Sequence, residues 1–371
     1  MKICYLANAG SIHTQRWARH FSKTGHRVTV VSFDQNGIEG VDVVALPRSV
    51  PGRRWNILWN TVRVRHLVGD LCPDILHAHY VTSYGLAGAL SGWHPYVATA
   101  WGTDVLVEPE RSRIYRRMVR FSLHRADLVT SMAPHMTEHL VKKGYAPADR
   151  VITLPFGVDT AEFHPGRRMR RHGEAAPLVV STRRPDHGMD VDTFVRAIPA
   201  VLDSMRTPRF VVAGDGPLRR EMERLAGEIG VADRVEFRGE ISHREMCDLL
   251  GTADVFVSTS PSDGNNISLN EAMACGAFPV ATDIPANRAW IESGDNGLLY
   301  PCRDAGRLAG AVLEALRKPE WRRSVMEKNW EIVRTRASWS RSMEEITSHY
   351  RRLIEESRQG GKGRGHEKKE G

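Results

Sequence analysis

At 371 residues, with 41% hydrophobic and 26% charged, the chain reads as an ordinary globular protein, too long for one core, and predicts two domains. No window approaches the roughly 20 apolar residues of a membrane span, and the five scattered cysteines, without a CxxC pair, fit reduced cytoplasmic thiols better than zinc or disulfides. The net charge of +8 is uneven: residues 1–160 carry 19 Lys and Arg against 12 Asp and Glu, so we expect the first half to meet an anionic surface.

Short apolar runs alternate with helical patterns, which is typical of parallel α/β sheets. In the first half these runs are KICYLA, RVTVVSF, VDVVALP, DILHAHYV, YVATAW, ADLVTSM and RVITLP. In the second half they are LVVST, RFVVAGDG, VEFRGE, ADVFVST, FPVATD and NGLLYP. The sequence therefore predicts an α/β fold of two Rossmann-like parallel-sheet domains facing across a cleft, with ligands at the carboxyl ends of the strands.

The domain boundaries follow from composition. We predict an N-terminal domain, a polar linker rich in Gly and Pro, a C-terminal domain, a helix that packs back on the first domain, and a disordered basic tail. Their ranges are 1–157, 158–177, 178–336, 337–356 and 357–371.

Two motifs at the strand ends of the first domain invite a cofactor or metal hypothesis. The segment NAGSIHTQRW opens a helix after the first strand, but it is not G-x-G-x-x-G, which argues against a dinucleotide dehydrogenase. In HAHY, His77 and His79 share one face of a strand, yet no third ligand follows nearby. We therefore predict buried structural histidines and no metal site.

The segment RSRIYRRMVRFSLHRADL predicts a basic amphipathic helix with arginines between Arg111 and Arg125 and a partial apolar stripe. Two interpretations stay open: contact with an anionic membrane surface, or a core-facing stripe with a solvated basic face. The nearby Trp55 and Trp59 favour the membrane slightly. No nucleic-acid reader motif accompanies the basic residues, so we expect no nucleic-acid partner.

In the second domain, the stretch PSDGNNISLNEAMACG follows the buried strand ADVFVST and opens a helix. Ser268 and Glu271 have the spacing of a capping box, and Gly276 ends the helix. A loop that feeds a helix N-terminus offers N–H groups to a phosphate, whereas carboxylates accept hydrogen bonds from hydroxyls. Asp263 and Glu271 therefore indicate a ligand with both a diphosphate and sugar hydroxyls.

This stretch resembles the E-x7-E signature of the retaining glycosyltransferases of family 4, which have the GT-B fold, with Asp263 in place of the first Glu. EAMACGAFPVATDIPANRAWIESGDNGLLY resembles the helix, strand and Asn-Gly turn that follow in that family. The resemblance covers nearly the whole chain, through NAGSIHTQRW, GHRVTVVS, HAHY, FGVD and GDGPL in order.

The resemblance implies roles for individual residues. It places Asp263 on the donor sugar, Glu271 on the ribose, and His13 on the acceptor side. The implied donor-binding positions are Gly10, Ser11, Gly214, Gly216, Gly239, Ile241, Gly264, Asn265, Asn266, Ile267, Ser268 and Leu269. Trp101 stands where many members have a His, which makes Asp104 the nearest polar candidate for contact with the acceptor.

The family also places an Arg, and a Lys five residues later, beside the leaving diphosphate, because cations stabilise the departing oxygens. Aligning STRRPDHGMD through the following VDTF gives Arg184 and Met189 at these positions. Aligning on the His-Gly pair gives Thr182 and His187 instead. We prefer Arg184, with Arg183 or His187 as substitutes for the missing Lys.

The predicted function is transfer of a hexose-type sugar from a nucleotide sugar to an acceptor hydroxyl of a glycan, lipid-linked glycan or small molecule, with retention. The resemblance implies no metal or other cofactor. The cysteines predict a cytoplasmic location, and the basic helix extends this prediction to the inner face of the cell membrane. Two alternatives remain, a nucleotide-sugar epimerase of the same fold and a sugar-nucleotide-binding protein that has lost catalysis.

Overall fold

The computed structural model describes residues 1–47, 53–167 and 176–363, which form two compact units. The first unit comprises Met1–Pro155 together with Met343–Gly371, and the second comprises Phe156–Ser342. The side chains of Trp55 and Trp59, and the end of the predicted basic tail, lie outside the described residues.

The first unit contains a seven-stranded parallel sheet in the order β3-β2-β1-β4-β5-β6-β7. Its strands are β1 (Lys2–Leu6), β2 (Arg27–Ser32), β3 (Asp42–Ala45), β4 (Ile75–His79), β5 (Tyr96–Ala100), β6 (Leu128–Ser131) and β7 (Val151–Thr153). Its helices are α1 (Ile12–Lys23), α2 (Arg53–Leu71), α3 (Leu86–Ser91), α4 (Thr103–Leu106), α5 (Glu108–Arg111), α6 (Arg113–His124) and α7 (Pro134–Lys142). The central strands β4 and β5 are buried throughout, as expected where both faces of a parallel sheet are covered.

The second unit contains a six-stranded parallel sheet in the order β10-β9-β8-β11-β12-β13. Its strands are β8 (Leu178–Ser181), β9 (Arg209–Ala213), β10 (Val235–Gly239), β11 (Val255–Ser258), β12 (Phe278–Thr282) and β13 (Leu298–Tyr300). Its helices are α8 (Val191–Ser204), α9 (Arg219–Glu228), α10 (His243–Thr252), α11 (Ile267–Ala274), α12 (Pro285–Arg288), α13 (Ala305–Arg317) and α14 (Pro319–Arg336). Alternate residues of one strand enter two separate cores, as with Val179 and Val180 of β8, because strand side chains point to opposite faces.

The last helix, α15 (Trp339–Gly363), returns the chain to the first unit. Its Tyr350 is fully buried, lies against Phe21, and its hydroxyl is hydrogen-bonded to Nδ1 of His77. The Nε2 atom of His77 meets the hydroxyl of Thr99 at 2.5 Å. A buried polar chain therefore joins α15 to strands β4 and β5.

The two parallel-sheet domains predicted from the sequence are confirmed, but two predicted boundaries differ from the structure. Residues 158–163 belong to the second unit and not to a linker, because Val158 pairs with the segment before α15 and Phe163 is buried in a core. Residues 357–363 continue α15, although the sequence placed them in a disordered tail. Among the described residues, no helix has the length and apolar character needed to cross a membrane.

Candidate functional site

The candidate donor site lies at the carboxyl edge of the sheet in the second unit. The strand order reverses between β8 and β11, and in open parallel sheets the loops that follow such strands leave a crevice for ligands. The loop after β8 contains Arg183 and Arg184, and the loop after β11 contains Asp263. The topology thus brings together the two segments that the sequence singled out.

An ion pair joins these two loops. Nη2 of Arg183 lies 3.0 Å from Oδ2 of Asp263, and the exposed fractions of the two side chains are 11% and 19%. Nε of Arg183 also donates to the hydroxyl of Ser258 at 3.1 Å, while Oδ1 of Asp263 accepts from the backbone N–H of Asn265 at 3.1 Å. Arg183 and Asp263 are therefore fixed in place, and a charged donor–acceptor pair lines the edge of the sheet.

Helix α11 is capped two residues earlier than the sequence predicted. The cap is Asn266, whose Oδ1 accepts from the backbone N–H of Leu269 at 3.1 Å, so Ser268 and Glu271 do not form the predicted capping box. Nδ2 of Asn266 donates to Ser258 and to Asn287, at 2.9 Å each. The side chain of Asn266 therefore connects the start of α11 to β11 and to α12.

This loop leaves backbone donors available to a ligand. Within the part of the chain that the structure describes, the N–H groups of Gly264, Asn266 and Ser268 make no hydrogen bond. They alternate with those of Asn265 and Ile267, which bond to Asp263 and to the carbonyl of Asn265. Three such donors beside a helix N-terminus suit the oxygens of a phosphate or a sugar. Glu271 is half-buried in the same helix.

Arg184 occupies a different environment from Arg183, although the two are adjacent. Its side chain is 63% exposed and its nearest charged partner is Asp186, at 3.8 Å from Nε. His187 is exposed as well, and Met189 lies partly buried against a core. The arginine that meets the acidic loop is therefore Arg183, and not the preferred Arg184.

The predicted glycines hold the loop after β8 against its neighbours. A Cβ atom at Gly216 would lie 2.1 Å from the carbonyl oxygen of Pro185, so only glycine fits. Gly214 has a φ of +130° and donates its N–H to the carbonyl of Gly239 at 2.7 Å. Ile241 packs against a core of the unit. These residues shape the loop that carries Arg183.

In the first unit, Asp104 is a buried anchor. It has 0% exposure, and its carboxylate accepts N–H groups of Val81 at 2.7 Å, Trp101 at 3.0 Å and Gly102 at 2.9 Å. Burial raises the pKa of Asp104 to about 6, against the effect of these hydrogen bonds. The sequence proposed Asp104 for contact with an acceptor; in the structure it holds the loop that presents Trp101. Spacing did not reveal Glu108, a second buried carboxylate, which accepts from Tyr80 at 3.0 Å.

Three aromatic side chains meet at the carboxyl edge of the first sheet. The rings of His13 and His79 lie 5.6 and 5.7 Å from that of Trp101. Burial lowers the pKa of His13 to about 4, with a smaller effect from Arg16, so the imidazole is neutral at pH 7. Trp101, at the position where many family members have a histidine, therefore lies beside the neutral imidazole of His13.

The remaining predicted residues of this edge lie at the start of α1. Gly10 donates its N–H to the side chain of Asn8 at 2.8 Å, and a Cβ atom there would lie 2.6 Å from Asn36. Ser11 is the N-cap of α1 but its hydroxyl makes no capping hydrogen bond. Across the described residues, no group of three or more His, Cys, Asp or Glu side chains is placed to hold a metal ion.

Sequence comparison agrees with this architecture. Residues 2–133 match the family described as glycosyl transferase 4-like, and residues 176–318 match the glycosyl transferases group 1. The chain belongs to glycosyltransferase family 4.

Relatives of this glycosyltransferase include an alpha-D-kanosaminyltransferase of Streptomyces kanamyceticus, 25% identical over 325 residues that cover 80% of this chain and 82% of the relative. A GDP-mannose-dependent alpha-(1-6)-phosphatidylinositol monomannoside mannosyltransferase of Mycobacterium tuberculosis is 28% identical over 69% of this chain and 70% of its own. Among solved structures, sucrose-phosphate synthase of Thermosynechococcus elongatus has a TM-score of 0.80 at 20% identity, covering 95% of this chain and 99% of that one. HepE of Anabaena with UDP and glucose has a TM-score of 0.78 at 17% identity, covering 95% and 100%. The last two confirm the GT-B fold.

Proposed function

We propose that this glycosyltransferase moves a hexose-type sugar from a nucleotide sugar to an acceptor hydroxyl with retention of configuration. The observation that carries the proposal is the set of unbonded N–H groups at Gly264, Asn266 and Ser268, beside the ion pair of Arg183 and Asp263. A nucleotide sugar has a diphosphate for the N–H groups and hydroxyls for the carboxylate.

We assign the residues as follows. The guanidinium of Arg183 and the start of α11 stabilise the negative charge that develops on the departing diphosphate. Asp263 accepts hydrogen bonds from the donor sugar, and Glu271 from the ribose. These groups supply positive charge and position without a metal ion, which is why we propose a metal-independent reaction.

Retention requires either a covalent intermediate on a carboxylate or attack on the face that the leaving group departs from. Asp263 is engaged with Arg183 through one oxygen and with Asn265 through the other, which leaves it poorly suited to act as a nucleophile. We therefore propose front-face displacement, in which the acceptor oxygen bonds to the anomeric carbon, the bond to the diphosphate breaks, and the leaving phosphate takes the acceptor proton.

For the acceptor we propose a glycan, a lipid-linked glycan or a small molecule with a free hydroxyl, bound at the edge of the first unit near His13 and Trp101. We propose a cytoplasmic location, including the inner face of a membrane, since all five cysteines are thiols. The mycobacterial relative, by its name, acts on a phosphatidylinositol mannoside, which makes lipid-linked glycans the first acceptors to test.

A thermal-shift screen of UDP-, GDP-, ADP- and dTDP-sugars tests the donor, because a ligand that binds the native state raises its apparent melting temperature. Transfer with the donor thus found, followed by NMR of the anomeric proton, tests retention. Isomerisation of the donor without an acceptor supports the epimerase alternative. Binding without turnover over a broad acceptor panel supports a binding protein.

A further inference from the structure

Helix α6 carries exposed apolar side chains on a basic surface. Its core side consists of Val119, Ser122 and Leu123, which are buried. The sequence left open whether Ile114 and Phe121 face the core or a membrane. In the structure these side chains are 69% and 39% exposed. Because they are seven residues apart, they lie on the same side of the helix. A core-facing stripe therefore does not account for them.

The same helix carries several exposed arginines. Arg113, Arg116, Arg117 and Arg120 are exposed, and the sequence has no acidic residue between Arg111 and Arg125. The guanidinium of Arg125 lies 5.6 Å from the centre of the Phe121 ring, while its Nε donates to the carbonyl of Ala89 at 3.0 Å. Phe121 thus contacts a guanidinium group that is itself hydrogen-bonded to α3.

The adjacent helix extends the same kind of surface. His124 at the end of α6 donates from Nε2 to the carbonyl of Gly144 at 3.1 Å, just beyond the end of α7. There, Val141 is 37% exposed and is followed by Lys142 and by Lys143, whose Nζ lies 3.8 Å from Oε1 of Glu110. The large hydrophobic side chains exposed in the described parts of the chain are Ile12, Val62, Ile114, Phe121 and Val141, all in the first unit.

We propose that the exposed face of α6, together with the end of α7, docks on an anionic lipid bilayer. Ile114 and Phe121 enter the interface, and the arginines lie at the level of the lipid phosphates. Exposed apolar groups between cations suit a surface that has both negative charge and hydrocarbon beneath it. A nucleic acid offers the same phosphates but gives Ile114 and Phe121 no apolar environment, so the bilayer is the better match.

The experiment is co-flotation of the full chain with two kinds of vesicle, one of phosphatidylcholine alone and one that also contains about 30 mol% phosphatidylglycerol. Each is measured at low and at physiological ionic strength. We expect binding only to the anionic vesicles, weakened by salt. The triple variant R116E/R117E/R120E is expected to bind at least ~100-fold more weakly, since each basic side chain near the surface contributes severalfold. The variant I114S/F121S is expected to lose roughly tenfold while keeping its arginines.

The matched control is R220E/R244E/R317E, which makes the same change of charge on exposed arginines of the second unit and is expected to bind like the wild type. Circular dichroism and melting temperature verify folding of each variant. The proposal is overturned if the wild type does not float with anionic vesicles at low ionic strength, if the α6 triple variant floats as well as the control, or if I114S/F121S is unaffected. Retention on duplex DNA without vesicle binding also overturns it, and identifies a nucleic-acid surface.

Discussion

Arg183 and Asp263, 80 residues apart, form an ion pair that closes the gap between the loops after β8 and β11. The next residue, Arg184, is 63% exposed and lies 3.8 Å from Asp186. Two consecutive arginines thus have the same charge and different surroundings, so each serves as the control for the other in testing which cation acts on the donor.

Arg183→Ala is expected to lower kcat/KM for the donor by at least ~100-fold, because it removes a fixed cation from the leaving group and frees Asp263 from its orientation. Arg184→Ala is expected to lower it less than ~10-fold, since an exposed cation contributes little. Initial rates at varied donor concentration measure both. A larger loss in Arg184→Ala than in Arg183→Ala would restore the assignment that the sequence favoured.

Gly216→Ala is expected to destabilise the second unit by about 1–3 kcal/mol, because the new methyl group would lie 2.1 Å from the carbonyl oxygen of Pro185 and the backbone must shift. Urea denaturation measures the free energy of unfolding. Gly227→Ala in α9 is the control: nothing lies within 4 Å of its added Cβ, so the same methyl group is expected to stabilise the helix slightly. Equal effects of the two changes would contradict the close contact at Gly216.

The stability of the first unit is expected to fall on acidification below about pH 6.5. Burial lowers the pKa of His13 to about 4, lowers that of His79 to about 3, and lowers that of His77 as well. The unfolded chain therefore binds protons that the folded chain does not. At pH 5, 1.5 units below the ordinary histidine pKa of about 6.5, His13 and His79 each lower the free energy of unfolding by about 2 kcal/mol, and His77 acts in the same direction. Asp104, whose pKa is raised to about 6, acts in the opposite direction but is one group against three.

Urea titrations at pH 7.5 and pH 5 measure this loss. His79→Phe is expected to reduce the difference between the two pH values, because it removes one of the titrating groups, whereas His187→Asn at an exposed site is expected to leave the difference unchanged. A loss of stability in His79→Phe as steep as in the wild type would show that this imidazole does not control the acid response.

Tyr350→Phe is expected to lower the free energy of unfolding by about 1–3 kcal/mol, because Nδ1 of the buried His77 loses its hydrogen-bonding partner. Arg351→Ala, on the exposed side of the same helix, is expected to change it by less than ~0.5 kcal/mol. Urea denaturation compares the two. A cost in Tyr350→Phe no larger than in Arg351→Ala would mean that the hydroxyl contributes nothing to docking of the last helix.

The sequence predicts the two sheets well because strand periodicity is a local property, and both sheets are built from continuous apolar runs such as β4 and β5. It also singles out the loop from Asp263 to Glu271 as a ligand-binding segment, and that role stays a prediction. It did not identify Ser258, which contacts both Arg183 and Asn266, because its place at the end of β11 acquires meaning only when β8 lies alongside. The spacing of residues along the sequence does not show which strand ends come into contact in the folded chain.

The different surroundings of the two arginines could not be predicted from the sequence for a related reason. An alignment through the following VDTF assigns residues to positions by counting along the chain. The partner of each arginine depends instead on the direction in which its side chain leaves the loop, and adjacent side chains leave in different directions. The capping of α11 differed because Ser268 and Asn266 are both good caps, and tertiary hydrogen bonds to Ser258 and Asn287 favour Asn266.

The return of α15 to the first unit sets the order in which the chain can finish folding. The second unit is continuous from Phe156 to Ser342, so its whole sheet can form as soon as that stretch has left the ribosome. Translation of the first unit begins before that of the second unit and ends after it. His77 gains its hydrogen-bonding partner, the hydroxyl of Tyr350, only when a residue 273 positions later has been translated. The half that is synthesised first is therefore the half completed last, and a released chain truncated before Tyr350 would carry a complete second unit beside an incomplete first unit.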